Sequence, residues 1–173
     1  MALSLSDISI APFSQTLGAV AGYLKKGAEY CQANGISLDE IVATRIYPDM
    51  APFRFQVLSV AQHTMGALRG VQDGEFITTT DRPEMNYAAL QALIDEAKAY
   101  VAGLSRESID QLLGKEVIIK FGSKPVPFTA EGLLMSFSLP NLHFHATTAY
   151  DILRIKGVPV GKADYTGRLQ LKR

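Results

Sequence analysis

The chain has 173 residues, 47% hydrophobic and 20% charged, which is ordinary globular chemistry and enough for one domain, 1–173, to bury a core. Its 17 Lys and Arg balance 17 Asp and Glu, so no net field draws it to nucleic acid. Cys31 is the one cysteine, which excludes an internal disulfide and fits a reducing, cytoplasmic setting; the start lacks a basic leader and no apolar run nears the ~20 residues of a membrane span.

In chain order, Ser6 and Asp7 offer caps for a first helix reaching about Asn34, with Ile10, Phe13, Leu17, Val20, Ala21, Leu24, Ala28 and Cys31 as its apolar stripe. Pro12 falls near its start and Gly35 just past its end. Ser37 opens a short helical turn, SLDEIVAT, and the two prolines of RIYPDMAPF then force a turn or extended crossing. A second long helix is predicted from about Ala51 to Val71, turning Phe53, Val57, Val60, Thr64, Ala67 and Val71 inward. The polar loop QDGEFITTTDRPEM leads to a third helix from about Asn86 to Gly103, carrying Leu90, Leu93, Ile94, Ala97 and Val101. After a short turn at Ser105, KEVIIKF and PVPFT read as a hairpin around Gly122-Ser123-Lys124, the second run demoted to an edge strand by its prolines.

The last helix starts at Thr129, a hydroxyl followed by Glu131, and stops at Gly157. Leu133, Leu134, Phe137, Leu142, His145, Ala149, Ile152 and Leu153 recur at helical spacing. Pro140 kinks it and deprives a carbonyl near 136–137 of its partner, which Asn141, His145 or water can satisfy. Short connections make this all-α chain an antiparallel four-helix bundle with a small β-hairpin before the last helix.

The chemistry centres on three histidines. His143 and His145 are two residues apart, about 200° around a helix, so only one faces the core, and the stripe selects His145 as the least exposed of the three. His63 borders the apolar face of helix two, and an inward His63 opposite His145 can hold a divalent metal if a carboxylate or amide joins them. Each histidine can equally be a hydrogen-bonded core residue. The candidate pocket is His63, His145, Asn141, Asp49, Gln56 and Tyr150, with Gln56, His63 or Asp49 as the expected cross-helix partner of His145. No phosphate loop, CxxC pair or GxSxG elbow accompanies it.

Arg45 to Val57 (RIYPDMAPFRFQV) and Leu139 to Gly167 (LPNLHFHATTAYDILRIKGVPVGKADYTG) resemble the signature stretches of an uncharacterised family of bacterial and fungal proteins. That family, a domain of unknown function, belongs to the DinB/YfiT-like superfamily of proposed metalloenzymes. The resemblance covers essentially the whole chain. It implies a DinB-like four-helix bundle, often a homodimer. Such relatives bind a divalent metal through one histidine on helix two and an HxxxH pair on helix four, and some are thiol-dependent transferases or isomerases. Here only His63 and His145 match ligand positions, because Ala149 stands four residues after His145 and Asn141 four before. Two readings stay open. One is a small-molecule transferase dependent on zinc, nickel or iron, or thiol-linked. The other is a metal-free binding or stress-response module that keeps the cavity.

Overall fold

The computed structural model describes residues 3–78, 83–121 and 124–172, the side chain of Phe121 excepted. Residues 79–82 of the expected polar loop and the hairpin positions Gly122 and Ser123 lie outside the described residues. The chain is mostly helical with a small sheet of three strands.

Helix α1 runs Leu5–Asn34 and is capped by Ser4, not by the expected Ser6. Ser4 accepts from the Asp7 amide while Asp7 accepts from Ser4, a reciprocal box that satisfies two orphan donors. Ser6 is instead buried, and its amide donates 2.8 Å to Asp110 Oδ1. Pro12 lies in the interior, eight residues in, where it removes a bond to Ile8. Gly35 closes α1 at φ 65°, the left-handed region. Short α2, Leu38–Ala43, follows with Ser37 as cap.

The second long rod is composite: α3 (Phe53–Ala61), a π-turn (Gln62–Gly66) and α4 (Ala67–Asp73). Thr64 Oγ1 donates to the carbonyls of Val60 and Ala61 at 2.7 and 3.2 Å, covering groups that the wider turn displaces. Strand β1 is only Glu75–Phe76, and the third rod is α5, Tyr87–Ala102, capped by Asn86. Short α6, Arg106–Asp110, precedes strands β2 (Glu116–Phe121) and β3 (Lys124–Thr129).

The fourth rod starts at its Thr129 cap as α7 (Ala130–Gly132), widens into a second π-turn (Leu133–Ser138) and continues as α8 (Leu139–Ile155). Pro140 has no N–H to return to the turn before it, and Asn141 Nδ2 donates 2.8 Å to Phe137 O. A last short helix, α9, spans Lys162–Thr166. The rods touch in a ring, α1 to α5, α5 to α3, α3 to α8 and α8 to α1. Phe13, Leu17, Phe53, Val57, Leu90, Ile94, Leu142 and Ile152 meet inside it, all fully buried.

The sheet order is β1-β2-β3, with β2 antiparallel to β3 and parallel to β1. Val117 and Ile119 are buried while their neighbours face outward, the period of a one-sided strand. Ala130 N donates to Lys115 O, so by alternation Pro125 and Pro127 turn their missing donors away from β2. The sequence did not predict β1. It lies against α4 because Gly70 has no Cβ, which would meet Phe76 Cα at 3.0 Å and Glu75 O at 3.1 Å. No helix among the described residues is long and apolar enough to cross a membrane.

Candidate functional site

Gln56 and His63 share one face of the second rod, two turns apart, and His145 faces them from α8. Gln56 is 2% exposed. Its Nε2 donates 2.9 Å to Ala51 O, which fixes the amide so that Oε1 faces His145 Nδ1 at 2.7 Å. The imidazole therefore donates from Nδ1 to that oxygen. The His63 and His145 rings lie 5.8 Å apart, centroid to centroid, within 12° of parallel.

Aromatic rings enclose the pair. Phe55 and Phe144 meet His145 edge-on at 5.8 and 5.3 Å, while Phe137 and Phe76 meet His63 at 5.5 and 5.9 Å. Phe128 of β3 extends the series to Phe137 at 6.4 Å. Phe55, Phe128 and Phe137 are half-buried and Phe144 is 58% exposed, so the rings form a strip that starts in the core and reaches solvent. Ser59, on the turn between Gln56 and His63, is buried, and its Oγ has no hydrogen-bond partner among the described residues. The same holds for Ser138, beside Phe137.

His63, 6% exposed, is the least exposed histidine, in place of the expected His145, which is half-buried. The Phe76 and Phe137 rings cover His63, whereas His145 borders the exposed Phe144. His143 is exposed, 3.5 Å from Tyr165 through Nδ1. Asn141 is spent on Phe137 O. Asp49 is exposed in the turn before α3 and makes no hydrogen bond to either imidazole. Tyr150 belongs to another cluster: its ring packs on Tyr23 and Tyr165, and its hydroxyl donates to Val160 O. Sequence reasoning put Phe137 on the inward stripe but missed Phe55, Phe76 and Phe144 at the pair; Phe55 and Phe144 adjoin Gln56 and His145 in the chain, but adjacency alone gave no signal. Cys31 is buried, and burial, then Glu40, pushes its thiol up, the state of an inert cysteine.

A three-histidine metal set does not fit these residues. The position four after His145 is Ala149, fully buried, and no group of three or more His, Cys, Asp or Glu is placed to hold a metal among the described residues.

The fold is that of DinB proteins: the crystal structure of a DinB family member from Shewanella denitrificans superposes with a TM-score of 0.79 at 24% identity, over 98% of this chain and 95% of that one. Residues 5–166 match the domain of unknown function DUF1993, and the chain belongs to that family. No protein of curated function matches it.

Proposed function

We propose that this DinB-fold protein is a small-molecule-binding module that works without a resident metal, its ring of four rods serving as the DinB bundle around a pocket at His145. The observation that carries the reading is the 2.7 Å bond from His145 Nδ1 to Gln56, which fixes the ring's orientation and favours the Nδ1–H tautomer, the form in which an imidazole can serve a ligand as acceptor or base. His63, stacked at 5.8 Å, supplies the opposite wall.

The second reading, a divalent metal held by His63 and His145 with ligand or solvent completing its shell, is favoured by the same stacking and by the amide behind His145, since metal-bound imidazoles are commonly oriented that way. Such a metal would supply Lewis acidity or activate a thiol. Histidine-ring NMR together with metal analysis of untagged protein separates the two. The metal-free reading expects a single Nδ1–H tautomer at His145, lost in Gln56→Ala, and sub-stoichiometric metal. One zinc, nickel or iron per chain, lost in both His63→Ala and His145→Ala, establishes the second. A homodimer and a cytoplasmic location belong to the same proposal, and a monomeric mass by sedimentation at micromolar concentration removes the dimer.

A further inference from the structure

We infer that the chain has a second ligand site, for an uncharged, hydroxyl-rich ring of monosaccharide size, on the side of α8 turned away from His145. His143 is two residues from His145, about 200° around the helix. There it lines a cleft of about 330 Å³ together with Pro12 and Thr16 of α1 and Tyr165 of α9. That volume lies at the small end of ligand pockets. Gln15, whose Nε2 donates 2.7 Å to Thr166 O, ties α9 to α1 at the margin. The cleft shares no lining residue with the His145 pocket, so either can exist without the other.

Three groups in the cleft have hydrogen bonds to offer. Thr16 is 7% exposed. A buried hydroxyl on a helix ordinarily turns back to a carbonyl one turn earlier, as Ser9 does to Leu5 at 2.6 Å and Thr148 to Phe144 at 2.8 Å. Thr16 does not turn back to Pro12, and its hydroxyl makes no hydrogen bond among the described residues. An unmade bond of this kind destabilises the free protein, and a ligand hydroxyl removes that cost on binding. The Tyr165 hydroxyl accepts from Thr147 Oγ1 at 2.9 Å. Its one other partner among the described residues is His143 Nδ1 at 3.5 Å, a length at which a ligand oxygen outcompetes it. The exposed His143 is the third group. Hydroxyls and imidazole both donate and accept, as the hydroxyls of a ligand do. Among the described residues no Lys, Arg, Asp or Glu lines the cleft, so a carboxylate or phosphate finds no fixed countercharge there. Pro12 and the Tyr165 ring supply the apolar surface on which the C–H face of a sugar or cyclitol lies. A bare hydrocarbon leaves the three polar groups unmet.

The test uses glucose, galactose and myo-inositol as probes in amide NMR titrations of the full chain. Glucuronate (the same ring with a charge) and cyclohexanol (a ring with one hydroxyl) are the comparisons. The expected result is saturable binding of at least one of the three probes, with shifts at residues 12–16, 143–147 and 162–166, and about fivefold or more weaker binding of glucuronate and cyclohexanol. Thr16→Val, of nearly the same shape, weakens that probe about fivefold while thermal stability holds or rises, because the variant discards an unmade bond. His143→Ala weakens it by a similar factor with stability unchanged. No saturable shift with any of the three probes, equal binding of glucuronate or cyclohexanol, or an unchanged affinity in Thr16→Val overturns the inference. Shifts confined to residues 55–63 put the sugar in the other pocket and overturn it as well.

Discussion

Gln56 ties three pieces together through one amide: the chain before α3 at Ala51, the second rod, and His145 on the fourth. Removing it leaves a half-buried imidazole without its orienting acceptor, so Gln56→Ala is expected to destabilise the fold by about 1–3 kcal/mol, read by urea unfolding. His143→Ala, by contrast, removes an exposed ring and is expected to change stability by less than about 0.5 kcal/mol. Gly27 is a second sensitive position. A Cβ there runs into the Tyr87 hydroxyl and into Leu153 at 3.1 Å, and that hydroxyl donates 2.8 Å to Leu24 O. Gly27→Ala should cost about 1–3 kcal/mol, measured the same way. Much of this was legible in the sequence at the level of helix phase: the stripe put His145 opposite helix two and allowed Gln56 as partner. The order of burial was not, because it depends on Phe76 and Phe137 covering His63 while His145 borders the exposed Phe144, contacts that the period of one helix does not encode.

At the scale of elements, caps were readable and irregular turns were not. Ser37, Asn86, Ser105 and Thr129 each accept from the amide three residues on, as their residue types suggested. At α1 the cap fell on Ser4 because Asp7 could then close the box. Charge accumulates around that box. Asp7 lies below its ordinary 3.8, chiefly through Arg106, and Asp110 below the same value, chiefly through the Ser6 amide. Carboxyls lowered by folding add stability above their unfolded value and lose it as pH falls through the folded one. Asp151 is raised by burial, so its protonation on acidification has the opposite sign. The start of α1 should therefore loosen first below pH 3.8, seen as faster amide exchange at Ser6 and Ile8 than at residues 146–152. In the fourth rod, Asn141→Ala uncovers Phe137 O and should cost about 1 kcal/mol without altering the His145 tautomer.

For the whole molecule, apolar periodicity specified the helices, since each long rod carries a stripe that ends in the core. Strands β2 and β3 were visible in alternation and proline placement. The parallel strand β1 was not, because two residues inside a polar loop carry no period; what creates it is a glycine on another element. Gly70→Val should push Phe76 off α4 and strip β1 from β2, so the Ile118 amide, which donates 2.9 Å to Gly74 O, should lose exchange protection.

The outward turn of Pro125 and Pro127 has a consequence for how copies of this chain meet in a crowded solution. A sheet margin with a full row of free donors and acceptors is a template on which another chain can lay a strand, and short sheets in helical proteins are exposed to that hazard while they fold. Here two of the outward donors are deleted by covalent chemistry, so a strand approaching β3 finds acceptors with nothing to complete the ladder. Replacing both prolines with valine leaves the inward bonds to β2 intact and restores the missing N–H groups in a β-favouring residue. The double variant should fold as the parent does yet form thioflavin-binding aggregates sooner on agitation, and a lag time equal to the parent's would show that these prolines guard nothing.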